Sequence, residues 1–119
     1  AIAMGQSQKA KSLATKMLVI NANSGDAYII IGDAYITGKS DCGGNDCSAR
    51  AIYWAAVDKY TRAKSVDPNV SEEAQKKINI YSEQFPKKED CFFHGMNEGT
   101  TFKFDCWIGE LTTVRTRSN

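Results

Sequence analysis

Tyr28-Ile29-Ile30-Ile31-Gly32-Asp33-Ala34-Tyr35, followed further on by Ala56, Tyr60, Ala63 and Pro68, is the part of the chain whose reading decides its fold. At helical spacing Tyr28, Ile31, Gly32 and Tyr35 share one face, and Ala56, Tyr60 and Ala63 share a face of another helix. Gly32 stands inside its helix, where glycine costs about 1 kcal/mol relative to alanine. That cost makes sense where two helices come close. Ala56 supplies the matching small residue, and Tyr28, Tyr35 and Tyr60 fill the space around the contact. Pro68 stops the second helix, because the residue before a proline avoids the helical conformation.

The flanking segments extend this pattern. Ser7 to Ile20 reads as a helix with Ala10, Leu13, Ala14, Met17 and Leu18 on its buried face. Asn21 to Gly25 is a turn, and Asp26 to Thr37 is the second helix, ended by Gly38. Lys39 to Ser48 is a loop by its Gly, Asp, Asn and Ser content. Ala49 to Val66 is the longest helix, with Ile52, Ala56, Tyr60 and Ala63 on one stripe and Tyr53 and Val57 beside it. Ser71 opens a fourth helix to about Phe85, where Ala74, Ile78, Tyr81 and Phe85 face inward and Glu72 and Glu73 suit its N-terminal dipole. Pro86 ends it.

Beyond Lys87 the period changes. Glu89 to Gly95 is expected to add a short helical turn. Thr101 to Trp107 alternates, with Phe102, Phe104 and Cys106 on one side, and Leu111 to Thr116 is rich in β-branched residues. With Ile108-Gly109-Glu110 as the connection, these segments are expected to form a β-hairpin. A hairpin is marginal alone and must pack on the helices.

Composition bounds the function. The 119 residues suit one small domain, with 42% hydrophobic and 24% charged residues and a formal charge of +1. Such balance gives no electrostatic reason to expect nucleic acid or an anionic membrane as partner. No apolar run is long enough to span a bilayer, and the start AIAMGQSQKAKS lacks the apolar core of a signal peptide.

The ordered set Tyr28, Ile31, Gly32, Tyr35, Ala56, Tyr60, Ala63 and Pro68 resembles the tetratricopeptide repeat, W-x2-L-G-x2-Y…A-x3-F…P, with Tyr for Trp and Phe and Ile for Leu. Gly32 and Ala56 stand about 12 residues further apart than the standard 34-residue repeat allows, so the loop around 38–48 is an insertion. Tyr53 to Tyr60, Ala63 to Pro68, Phe85-Pro86, Cys106-Trp107-Ile108 and Thr112 to Arg115 together resemble the C-terminal region of tetratricopeptide-repeat proteins of Bacteroidetes-type bacteria. The resemblance covers most of 25–117. It implies a mainly α fold: antiparallel helix pairs in a tetratricopeptide-like right-handed stack, closed by the C-terminal β-hairpin. The whole chain, 1–119, is then one domain, with a helical part over about 7–86 and a cap over about 87–119.

Cys42, Cys47, Cys91 and Cys106 allow three pairings. By their spacing they suit disulfides in an oxidising compartment, free thiols in a reducing one, or a loose zinc site. The local pairing would join Cys42 to Cys47 and Cys91 to Cys106. The resemblance instead favours Cys42 with Cys106 and Cys47 with Cys91, since cysteines at the first two places occur together in the resembling proteins. Bacterial periplasm or cell envelope is the matching location, with the cytoplasm as the alternative.

Nothing in the chain spells out an active site. His94 is the lone histidine and no nucleophile motif surrounds it. Gly43-Gly44 lacks the continuation of a phosphate loop. No cofactor or catalytic residue is expected. The resemblance implies a non-enzymatic module that binds a protein or peptide, with Asp26, Ile29, Asp33 and Ile36 of the second helix contributing to the surface. Exposed Ile29 and Ile36 would also permit self-association. The alternative is a capping or envelope-assembly domain with no groove of its own.

Overall fold

The computed structural model describes residues 4–38 and 42–117. The first part of the expected loop, 39–41, lies outside the described residues. The chain is mainly helical: α1 (Met4–Ile20), α2 (Gly25–Thr37), α3 (Ala51–Val66), α4 (Ser71–Ser82) and the short α5 (Lys88–Phe93) precede β1 (Thr101–Lys103) and β2 (Leu111–Thr113). The two strands form one antiparallel sheet, with Thr101 opposite Thr113, Phe102 opposite Thr112 and Lys103 opposite Leu111.

α3 is the hub and touches α2, α4 and β2. Its expected stripe is buried, Ile52, Ala56, Tyr60 and Ala63 together with Tyr53 and Val57, and Trp54 is enclosed as well. Tyr81 of α4 stacks between Tyr53 and Tyr60, with ring centroids 6.1 and 5.9 Å away. α4 ends at Ser82, short of Phe85. The chain there tightens into i→i−3 bonds, Gln84 N to Tyr81 O and Phe85 N to Ser82 O, ahead of Pro86, which disfavours helix at Phe85. Phe85 is nonetheless buried.

Local chemistry fixes the start of α2. Ser24 caps it, its hydroxyl oxygen accepting from Ala27 N at 3.2 Å. Asp67, in the α3–α4 turn, accepts from Gly25 N at 3.1 Å with one oxygen and from Asn69 N at 3.0 Å with the other. The approach is close enough that a Cβ on Gly25 would stand 2.4 Å from Val70 Cγ2. One carboxylate therefore ties the beginning of α2 to the turn that begins α4.

Two further expectations change. On α1, Ala14 and Ser7 are buried and Leu18 packs against the core, but Leu13 and Met17 are 52% and 39% exposed. The helix turns the Ser7–Ala14–Leu18 side inward, and the neighbouring apolar stripe faces out. The hairpin strands are three residues each, and the connection runs over 104–110. Phe104 N donates to Glu110 O across its neck at 3.1 Å. Phe104 and Ile108 bury themselves, and Trp107 meets Tyr35 edge-on at 5.6 Å. Packing against the helices thus replaces the longer strand ladder.

All four cysteines form disulfides, Cys42–Cys106 with Cα atoms 5.2 Å apart and Cys47–Cys91 with Cα atoms 4.7 Å apart. This is the pairing implied by the resemblance, in place of the local pairing, the thiol and the zinc alternatives. The first bridge ties the α2–α3 loop to the β1–β2 connection, and the second ties it to α5.

Candidate functional site

Of the four α2 residues expected on a binding surface, only Asp26 is exposed. Ile29 is 5% exposed and belongs to the core, which corrects the expectation that it faces outward. Ile36 is half-buried and packs against the core. Asp33 is engaged structurally: Tyr60 donates its hydroxyl to Oδ1 at 2.6 Å, and Lys77 Nζ lies 2.9 and 3.1 Å from the two oxygens. Burial, then the hydrogen bond to Asp33 and that carboxylate's charge, push the Tyr60 phenol well above its ordinary pKa. The exposed apolar residue of α2 is Ile30, which with Ala10 and Asp33 lines a shallow groove of about 280 Å³ between α1 and α2.

A larger concavity lies elsewhere. A groove of about 1290 Å³ runs between the end of α4, α5 and the C-terminal segment, lined among others by Phe85, Phe92, Phe93, Lys88 and Arg117. Its wall is held by backbone pairing: Lys87 and Arg117 bridge in parallel, and Arg117 N donates to Pro86 O at 3.0 Å. Arg115 lies 5.4 Å over the Phe85 ring. On α5 the three residues after Asp90 split sharply. Cys91 is 1% exposed and bridged to the equally buried Cys47, whereas Phe92 and Phe93 are 75% and 86% exposed. The rim bears Glu83, Glu89 and Glu98, and none of the three forms an ion pair among the described residues. Nothing in the period of the sequence marked Phe92 and Phe93. The available signal was an aromatic pair directly after a cysteine, on a short helical turn.

A third cluster anchors the β1–β2 connection. Lys11 of α1 donates to Ile108 O at 2.7 Å, sits 5.0 Å from the Tyr35 ring centroid, and is 3.9 Å from Glu110. Lys59 of α3 pairs with Glu110 at 2.7 Å. Burial lowers the pKa of both lysines and raises that of Glu110, with the Lys11–Glu110 attraction opposing it. The cluster is a clamp: each cation reaches from a helix to the same loop.

With every cysteine in a disulfide, no thiol stands ready beside His94, which is exposed. Among the described residues no group of three His, Cys, Asp or Glu side chains is arranged around a metal position, and no helix is long and apolar enough to cross a membrane. Comparison with protein-family models, curated proteins and solved structures finds no match to this chain.

Proposed function

We propose that this chain is a non-enzymatic interaction module of the tetratricopeptide-repeat kind, and that its α4–α5 groove holds a peptide segment of a protein partner. The observation that carries the reading is the pair Phe92 and Phe93, held outward beside the groove by a helix whose Cys91 is locked to Cys47. Burying a phenylalanine contributes about 1.5–3 kcal/mol, so leaving two in water forgoes that gain unless a partner supplies it. Their rigid base lowers the ordering cost of binding, and aromatic anchors are the usual energetic centres of interfaces. The rim is of mixed charge: Glu83, Glu89 and Glu98, none in an ion pair among the described residues, suit basic residues of a peptide, and Lys88 and Arg117 suit acidic ones. Two disulfides suit an oxidising compartment, and the bacterial periplasm or cell envelope is the compartment proposed.

Selection of phage-displayed random peptides on the protein tests the reading. Enriched peptides should share an apolar anchor. Titration calorimetry should then show at least about tenfold weaker binding to a folded Phe92→Ser/Phe93→Ser variant. Enriched peptides that bind the variant equally well, or a selection that enriches none, would refute it.

A further inference from the structure

We propose that the outward stripe of α1 is a second docking site, for an acidic amphipathic helix of a partner protein. Leu13, Met17 and Ile20 recur at four- and three-residue spacing, so at 3.6 residues per turn they occupy one narrow sector. They are 52%, 39% and 87% exposed. Leu13 stands one turn beyond Ala10, which with the 36% exposed Ile30 lines the 280 Å³ groove between α1 and α2, so the apolar surface runs on to that groove. A groove between two helices accepts the side-chain ridge of a third.

Charge identifies the occupant. Among the described residues α1 carries Lys9, Lys11 and Lys16 and no acidic residue. Lys11 is committed to Ile108 and Glu110. Lys9 and Lys16 are exposed and lie four residues before and three after Leu13, along one edge of the apolar stripe. Neither forms an ion pair among the described residues. A second copy of α1 would set lysines against lysines, and like charges brought together at an interface cost affinity. An anionic bilayer would gain only about 1 kcal/mol from each of two lysines and would not follow the concavity beside Ile30. A helix with apolar residues at i, i+4 and i+7 and Glu beside them satisfies both the stripe and the lysines.

Fluorescence anisotropy with two synthetic helical peptides tests this site. Both carry Leu at i, i+4 and i+7; one has Glu at the flanking positions and the other Lys. The acidic peptide should bind at least about tenfold more tightly at about 50 mM salt, with the preference shrinking at about 500 mM. Leu13→Glu, a change at an exposed position, should abolish that binding, and Lys9→Glu/Lys16→Glu should reverse the preference. Phe92→Ser/Phe93→Ser should leave it unchanged, which separates this site from the α5 groove. Equal binding of the two peptides, binding of neither, or retention by Leu13→Glu would overturn the proposal. So would sedimentation of anionic vesicles with the protein, or a dimer lost on Leu13→Glu, in place of peptide binding.

Discussion

The ring of Tyr60 covers Gly32 so closely that a Cβ built on the glycine would stand 2.6 Å from the tyrosine Cε1 and 2.9 Å from Cζ. The ring cannot swing away freely, because its hydroxyl is bonded to Asp33 one residue further along α2. Glycine at this position therefore sets how near α3 lies to α2, and Tyr60 sets what fills the gap.

Gly32→Ala is expected to destabilise the protein by up to about 2 kcal/mol. Helix propensity alone would favour alanine by about 1 kcal/mol, but forcing a methyl group against a packed ring costs about 1–3 kcal/mol. Urea denaturation measures the balance. A variant more stable than the parent would show that the ring gives way.

Tyr60→Phe is expected to cost about 1.5–3 kcal/mol at neutral pH, the value of a hydrogen bond to a charged acceptor. Its pH dependence is more telling. The folded-state pKa of Tyr60 is raised, chiefly by burial, so its contribution is fully present below the unfolded value of about 10 and is lost as pH rises beyond it. Above about pH 10 the parent should lose stability faster than Tyr60→Phe, and the gap between them should narrow. Parallel curves through that range would contradict the assignment.

Much of this was legible in the residues, and the misses share a cause. The α3 stripe was readable because its apolar residues follow a single period and all turn inward. Gly32 announced a close approach with Ala56 and Tyr60 beside it; that the Tyr60 ring supplies the nearest atoms depends on how the helices cross. Periodicity on α1 could not choose between two apolar sectors, and the alternation of Phe102, Phe104 and Cys106 imitates a strand although Phe104 and Cys106 are held by core packing and a disulfide. Ile29 and Ile30 are sequence neighbours of the same chemistry, and only the packing of α1 and α3 decides that the first is buried. The exposure of Phe92 and Phe93 follows from which way Cys47 pulls Cys91, a long-range fact absent from the local sequence.

The two disulfides should differ in accessibility. Cys47 and Cys91 are 0% and 1% exposed, whereas Cys42 and Cys106 are only half-buried. Exchange requires a thiolate to reach the sulfur, so limited reductant should open Cys42–Cys106 first. Alkylation followed by peptide mass spectrometry reads the order directly. Both bridges join residues far apart, 64 and 44 positions, so in the chain-entropy model each constrains the unfolded state by about 4 kcal/mol. Early labelling of Cys47 and Cys91 would mean that α5 opens more readily than its burial implies.

The C-terminal segment is latched to α3 by a small polar network. Arg115 Nη2 donates to Asp58 Oδ1 at 2.8 Å, to Thr112 Oγ1 at 3.0 Å and to Trp54 O at 3.1 Å, while Trp54 Nε1 donates to Arg115 O at 2.7 Å. The Thr112 hydroxyl donates to the other Asp58 oxygen at 2.5 Å. The Arg115 and Asp58 side chains are 28% and 41% exposed, so solvent screens the pair and each alanine substitution is expected to cost about 1–2 kcal/mol, not the larger value of a buried pair. Because both substitutions open one latch, the double variant should cost less than the sum, with a coupling of at least about 0.5 kcal/mol. Arg115 also covers Phe85 in the α4–α5 groove. Arg115→Ala should therefore weaken groove binding of selected peptides as well as stability, while leaving the acidic helix on α1 bound as before. Strictly additive stabilities, or unchanged peptide affinity in folded Arg115→Ala, would show that the latch and the groove are independent.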